Sequence, residues 1–296
     1  MKKSSKINLL SNSQSSKPSS SLGVKKYFVE RLKAKDISCI QDVTVGSSTY
    51  DVLVEDVATL VDFDLISDGI RELNDSLNMT VNAYSNNYSC IHVFDWDDVD
   101  KICMMLSPKT RLYARKCSIE LVDQTTANSF LKLYHLQGSA RGQTVCYGMY
   151  FKGNLVSVMT FGAPRYNKNY QYELIRLCYH PSYTVVGGSE KMWKHFLDEF
   201  NPVNVLSYCD RAKFKGNVYY KLGMTLKSEG VPSKHWYNPD EQKRSKHITN
   251  NFLLQHGYDQ IFHANFGKGT SNEELIQDRG YRPVYDCGQM TFEWYR

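Results

Sequence analysis

No two of the eight cysteines stand as a CxxC pair, and their spacing is irregular: Cys39, Cys90, Cys103, Cys117, Cys146, Cys178, Cys209 and Cys287. That excludes a zinc knuckle, whose ligands come in close pairs. It also argues against a disulfide framework, the device of small secreted domains, in a chain of 296 residues. Several of these cysteines sit inside apolar runs, so free and mostly buried thiols are expected. No apolar run is long enough to cross a bilayer. The basic N-terminus is not followed by the apolar segment of a secretory signal, so a cytoplasmic protein with no membrane association is expected. Nor is there a large surplus of one charge. With 36 Lys+Arg against 31 Asp+Glu the net charge is +5, which permits a nucleic-acid partner without demanding one.

What is present is ordinary globular material, 42% hydrophobic and 23% charged, with 21 tyrosines. The length suggests about two domains. Residues 1–22 are Ser-rich and basic and are expected to form a disordered tail. A small unit over 23–108 carries strand-like runs at Tyr50–Val54, Thr59–Ile66 and Cys90–Asp95. A helix from Ser67 to Leu77, capped by Ser67, and a second helix ending at Met105 complete it. A larger unit over 109–238 opens with a strand from Arg111 to Val122. A helix from Thr125 to Leu136 follows, with Thr125 or Thr126 as its cap. Strands at Val145–Phe151 and Leu155–Phe161 flank a Lys152-Gly-Asn hairpin turn. Further strands are expected at Tyr172–Tyr179 and Asn204–Cys209. Between them, Gly187-Gly188 leads into a helix from Ser189 to Phe200. Asn217–Leu222 is a short helix closed by Gly223. Residues 239–296 form a C-terminal extension expected to pack on this unit. It has helices at Ile248–His256 and Asn272–Asp278 and strand-like ends at Arg282–Asp286 and Met290–Trp294.

The glycines before the second-unit helix leave backbone N–H groups free at a helix N-terminus, a cradle suited to pyrophosphate. The run Glu173-Leu-Ile-Arg-Leu, then Val186-Gly-Gly, Val205-Leu-Ser-Tyr and Tyr219-Tyr-Lys-Leu-Gly-Met resembles the GNAT superfamily from Tyr113 to Tyr237. The fold class expected is therefore α/β, a GNAT-like mixed central sheet flanked by helices. The resemblance implies an acyl-CoA or other acyl donor held by Val185, Val186, Gly187, Gly188, Ser189 and Tyr219. The loop departs from the family pattern in lacking an Arg or Gln before its glycines.

Polar residues are expected to meet where the Leu174–Tyr179 and Val205–Cys209 strands splay apart. Arg176 stands in an otherwise apolar strand and needs a partner, for which Asp210 is the candidate. His135 ends a helix, either as a C-terminal cap or as a member of the cleft. The runs Glu173-Leu-Ile-Arg-Leu, Ser207-Tyr-Cys-Asp and Gly216-Asn-Val-Tyr resemble the Mom-type phage proteins that modify adenine in DNA. That resemblance implies activity carried by Arg176 and Asp210; His135 and Tyr208 are secondary candidates read from their place near the cleft. The same runs, with Gly267-Lys-Gly-Thr-Ser-Asn and Tyr285-Asp-Cys-Gly-Gln, resemble homing-endonuclease-like proteins of phages and mobile elements. In those, the upstream domain is restriction-endonuclease-like, and Ile91-His-Val-Phe-Asp-Trp resembles its last strand.

The first unit is accordingly expected to be a degenerate nuclease, with Asp51, Asp62 and Asp64 as its Mg²⁺ ligands if it is active. Basic residues interleaved with tyrosines, Arg165, Lys168, Arg211, Lys213 and Lys215, together with Lys268, are candidate DNA contacts. The function expected is transfer of a small acyl-type group to a DNA base, in a bacterial host cytoplasm. The alternatives are a domain that only binds or targets DNA, and an N-acetyltransferase of protein or small amines.

Overall fold

A computed structural model describes residues 21–245 and 272–296. The first unit runs α1 (Ser21–Lys33), β1 (Cys39–Val45), β2 (Ser48–Val54), β3 (Thr59–Asp64), α2 (Asp75–Ser85), β4 (Ser89–Phe94) and α3 (Val99–Leu106). Strands β1, β2 and β3 are antiparallel neighbours, whereas β4 lies parallel to β3. A parallel neighbour needs a crossover, and α2 supplies it. One sheet face packs on α1 and α3 through Val52, Val61, Phe63, Ile91 and Val93. The other packs on α2 through Tyr50, Leu60 and Cys90. Every residue of β3 is consequently buried.

Two of those buried residues are acidic, and a buried charge must be paired. Asp62 accepts two hydrogen bonds from the Arg71 guanidinium, at 2.6 and 2.9 Å, and lies 2.7 Å from His92 Nδ1. Asp64 accepts from the Ser76 hydroxyl at 2.7 Å. The helix expected at Ser67–Leu77 is displaced: residues 66–68 make one 3-10 turn, and α2 begins only at Asp75. Gly69, at φ 113°, breaks the backbone there, and Arg71 is drawn in to Asp62. Helix α1 and strand β1 were not expected. β1 is half exposed and carries little apolar pattern.

The second unit contains β5 (Thr110–Tyr113), β6 (Ser118–Leu121), α4 (Gln124–Tyr134), β7 (Gln143–Phe151), β8 (Asn154–Gly162), β9 (Tyr172–Tyr179), β10 (Tyr183–Val186), α5 (Gly188–Phe200), β11 (Asn204–Asp210), α6 (Asn217–Lys221) and β12 (Thr225–Glu229). The strand expected over Arg111–Val122 is split by a turn at Ala114–Lys116, so its first half pairs with β10 and its second with β7. Asp123 caps α4 through the Thr126 N–H at 2.7 Å, in place of the threonines expected there. The hairpin between β7 and β8 turns on Lys152 and Gly153, both at positive φ.

After β12 come β13 (Lys234–Asn238), β14 (Lys243–Ser245), α7 (Asn272–Asp278), β15 (Arg282–Tyr285) and β16 (Gln289–Tyr295). The helix expected at Ile248–His256 and the loop carrying Lys268 lie outside the described residues. Here the domain division needs correction. β16 does not pack on the second unit as an extension. It is part of its seven-stranded sheet, order β12-β16-β11-β9-β8-β7-β6. The apolar Met290 and Phe292 of β16 complete the core there. The unit is thus a mixed α/β sheet flanked by helices, and it closes only with residues beyond 238.

The units share a polar seam. His92 donates its N–H to the Ala212 carbonyl at 2.9 Å, and buried Lys213 bonds both the His92 carbonyl and Asp97. Phe94 and Trp96 pack with Ala212, Tyr237, Val284 and Cys287 around it. All eight cysteines are free and all but Cys39 are buried. No helix among the described residues is long and apolar enough to cross a membrane.

The Asp62 cluster makes a stability prediction. Removing one partner of a buried ionic set strands the others, so Asp62→Ala is expected to cost about 3–5 kcal/mol in urea unfolding. A loss below about 1 kcal/mol, the value of an exposed pair, would contradict the role given to Asp62. The pH dependence has two signs. The Asp62 carboxyl is held well below its usual range by His92 and Arg71 against the pull of burial, so its contribution is lost as pH falls. The His92 imidazole, though fully buried, is raised well above its usual value, so its contribution is lost as pH rises through that raised value. Both are present in full between the ordinary carboxylate and imidazole values, roughly pH 4 to 6.5.

Candidate functional site

β9 and β11 run parallel for only three paired positions, ending at Leu174 opposite Ser207. The Ser207 hydroxyl caps the Leu174 carbonyl at 2.8 Å where the strands part. Beyond that point β9 runs on to Tyr179 and β11 to Asp210, and the gap between them opens into a cavity of about 640 Å³. One residue further along, β9 carries a bulge: Thr160 pairs with Arg176 and Phe161 with Leu174, leaving Ile175 extra. Bulges re-aim side chains, and here Arg176 follows the extra residue. Its Nη1 donates to the Ile175 carbonyl at 2.9 Å, while its Nε is buried with no partner. Burial, followed by the charge of Arg165, lowers its pKa.

The expected Arg176–Asp210 ion pair is not formed. Asp210 instead accepts from Gln137 Nε2 at 3.3 Å and from the Ala212 N–H at 3.0 Å. Burial pushes the Asp210 pKa up, with Asp97 adding to the rise and Lys213 opposing it. Glu173, three residues before Arg176, is taken by Arg165, whose Nε donates to it at 2.9 Å.

His135 lines the cavity at the C-terminal end of α4. Its Nδ1 accepts the Gln137 N–H at 3.1 Å, so the ring proton resides on Nε2. Burial, with Arg176 and Lys101 nearby, brings its pKa down to about 3. His135 is therefore a neutral donor whose one lone pair is occupied, which disqualifies it as a general base. Tyr219 donates its hydroxyl to the Tyr208 carbonyl at 3.0 Å and stacks on Phe292 at 4.6 Å. Burial raises its pKa well above the usual value, so the phenol keeps its proton. Gly216, at φ 79°, makes this stacking available: a Cβ there would meet Phe292 at 2.7 Å.

Val185 and Ser189 line the cavity, and Gly187 and Gly188 sit beside it at the head of α5. Gly187 adopts φ 73°, and a Cβ on Gly188 would strike the Tyr179 hydroxyl at 2.9 Å. The first-turn N–H groups of α5 have no intrahelical acceptor. Lys191 fixes the loop by donating to the Ala114 and Cys117 carbonyls at 3.1 and 2.6 Å. β5 pairs with β10, setting Arg111 opposite Thr184, and Arg111 and Arg115 both lie over the exposed Tyr113 ring. Glu190, in the first turn, is held by the Ser189 hydroxyl at 2.8 Å.

The structure thus brings Arg176, Asp210, His135, Tyr208, Tyr219, Val185, Ser189, Lys213 and Lys215 to one cavity. Lys101 and Tyr84 join them from the first unit, and Lys109 from the link between α3 and β5. Sequence reasoning missed these three, because only the docking of the units brings them there. The other basic candidates are engaged elsewhere: Arg165 with Glu173, Arg211 with Glu229, Lys168 with the Pro164 carbonyl. Lys213, tied to Asp97 and 7% exposed, is not a surface contact.

Asp51, Asp62 and Asp64 share a separate cavity of about 300 Å³ with Lys25 and Arg71. Their oxygens are taken by those cations and by His92, with Asp51 also accepting the Phe63 N–H at 2.7 Å. No group of three or more ligating residues arranged for a metal occurs among the described residues. The donor set does not fit Mg²⁺.

No protein-family model matches the chain. Nor does any curated protein match it. Solved structures similar to it include an acetyltransferase from Bacillus subtilis in complex with CoA, at 14% identity over 61% of this chain and 99% of that one, TM-score 0.34. An IAA acetyltransferase from Bacillus cereus is 11% identical over the same shares, TM-score 0.34. A GNAT family acetyltransferase from Elizabethkingia anophelis with acetyl-CoA bound is 10% identical, again over 61% and 99%, TM-score 0.34. Likeness at these levels brings neither activity nor ligand to this chain.

The His135 assignment is open to direct measurement. Its imidazole resonances are expected to stay in the neutral Nε2–H form from roughly pH 8 down to pH 5, whereas an ordinary histidine titrates near 6.5. A midpoint near that ordinary value would show the ring to be solvated and the tautomer argument wrong.

Proposed function

We propose that this chain is a GNAT-type acyltransferase whose acceptor is an amine of a DNA base. The observation that carries the reading is the cleft between β9 and β11. It joins a phosphate-compatible glycine loop to a cavity holding a carboxyl of raised pKa and a protonated phenol. Bound acyl-CoA supplies an acyl group already activated as a thioester. The backbone N–H groups of Gly188, Ser189 and Glu190, with Arg111 and Arg115, would hold its phosphates. Asp210 receives the proton that the acceptor amine loses, and burial, by raising its pKa above that of an ordinary Asp, makes it a better proton acceptor. Tyr219 keeps its proton at Oη, and turning that O–H away from the Tyr208 carbonyl would present it to the departing thiolate. His135 donates from Nε2, and Arg176 holds positive charge in the cavity. The base has to leave its stack to enter, and the tyrosines of the wall, Tyr84, Tyr134 and Tyr208, suit a flipped base.

A second reading has the protein only bind or target DNA, the first unit being a nuclease remnant. The cation-filled Asp62 site favours that reading over active cleavage. A third, acylation of protein or small amines, shares the cleft but leaves the basic wall without a purpose.

Mass analysis of nucleosides from cells expressing the protein is expected to reveal an acylated base, absent with Asp210→Asn. In vitro, that variant is expected to lose roughly 10²–10⁴-fold in kcat. For the wild type the rate is expected to fall as pH drops through the Asp210 value, which lies above that of an ordinary Asp. Unmodified bases together with efficient acylation of a simple amine would transfer the case to the third reading.

A further inference from the structure

We infer that the cavity between the two units is a nucleotide pocket in which Arg176 holds the phosphate, an inference that rests on the base-acylation reading for the nucleotide but not for the anion. Three buried polar side-chain atoms among the described residues have no hydrogen-bond partner: Tyr84 Oη, Arg176 Nε and His235 Nδ1. Tyr84 and Arg176 line this one cavity, from opposite units. An unmet buried donor costs free energy, so such atoms call for an explanation, and a ligand is the simplest. Both atoms can donate, and an oxygen-rich ligand would satisfy both.

The charge of the wall says which oxygens. Lys101, Lys109, Arg176 and Lys215 all line it, and none has a carboxylate in ion-pair contact among the described residues. Lys101 donates to the His135 carbonyl at 3.0 Å, Lys109 to the Met105 and Ser107 carbonyls, and Lys215 lies 4.6 Å from the centre of the Tyr84 ring. Lys213, the remaining cation, is neutralised by Asp97. Against these stand, among the described residues, the one carboxyl of the wall, Asp210, and two histidines, His135 and His180, whose pKa values burial lowers. A carboxylate ligand brings one charge to this wall. A phosphate monoester brings up to about two, with three acceptor oxygens. The tyrosines supply faces for a base, and Lys215 already lies against one of them. The glycine loop proposed for the donor lies on another part of the same wall, at the head of α5.

The nucleotide has two sources, free in solution or flipped from a DNA strand, and titration separates them. Wild-type protein is expected to bind dAMP at least about tenfold more tightly than deoxyadenosine. Arg176→Gln is expected to abolish that difference while leaving acetyl-CoA affinity unchanged, and Arg176→Lys to restore part of it as a point charge without the guanidinium fork. Lys215→Gln, away from the bulge, is the control for misfolding and is expected to weaken dAMP alone. Competition by a short single-stranded oligonucleotide assigns the phosphate to DNA. Absence of competition assigns it to a free nucleotide, in which case the DNA reading falls and the phosphate site stands. Equal binding of dAMP and deoxyadenosine by the wild type would overturn the inference. So would an equal loss of dAMP and acetyl-CoA in Arg176→Gln, because the anion would then be the donor's.

Discussion

The site depends on where one pair of strands stops pairing. β9 and β11 hold together through Leu174 and Ser207 and then diverge. Had they paired to their ends, the groups from Ile175 to Tyr179 and from Tyr208 to Asp210 would have been consumed by the ladder. Parting them leaves backbone and side chains that need other partners, and the surrounding residues supply some. Ser207 caps Leu174, Tyr219 caps Tyr208, and Arg176 bonds the bulged Ile175. The cleft is therefore polar because a sheet was interrupted. What remains unmet in it, the Arg176 Nε above all, is what a ligand can use.

The first unit supports this cleft more directly than it supports chemistry of its own. Its β4 edge gives the His92 N–H to Ala212 and the His92 carbonyl to Lys213, both in the loop that follows β11. That loop carries Asp210 at its head and Lys215 at its end. α3 delivers Lys101 to the His135 carbonyl, fixing the end of α4 that bears the neutral imidazole. Removing the first unit would take away one wall of the cavity and the anchors of two others. Large interfaces with buried polar pairs of this kind make relative motion costly, in contrast to loosely joined domains.

Much of the larger unit was legible in sequence because its strands are short apolar runs with strong punctuation. Lys152-Gly153 marks a hairpin, Gly187-Gly188 a helix entry and Gly223 a helix exit, and all three stand where expected. The approximate position of the cleft followed from the same order of elements. Three things were not legible. Arg111 lies far in sequence from the strand that leads into the glycine loop, and only the β5–β10 pairing joins them. β16 reads as a terminal strand, yet it inserts between β12 and β11, because strand order is decided by core packing of Met290 and Phe292 and not by chain order. The partner of Arg176 was sought in Asp210 on the rule that buried charges pair, and the bulge at Ile175 turns the guanidinium elsewhere.

That same rule explains the first unit's acidic strand. Asp62 and Asp64 alternate with Phe63 along β3, and Asp51 lies on the neighbouring β2, a spacing that would bring carboxylates together around a cation. A cation is there, but it is covalently part of the chain. Arg71 enters from the irregular stretch after β3 and binds Asp62 through both terminal nitrogens, and His92 and Lys25 take the next oxygens. A guanidinium gives the carboxylates the charge balance a metal would give, without an open coordination position or an activated water. The buried network then contributes rigidity to β3 and β4 in place of reactivity. β4 is the strand whose far end holds the second unit. The residues that read from sequence as a nuclease centre thus brace the seam against which the cavity is built.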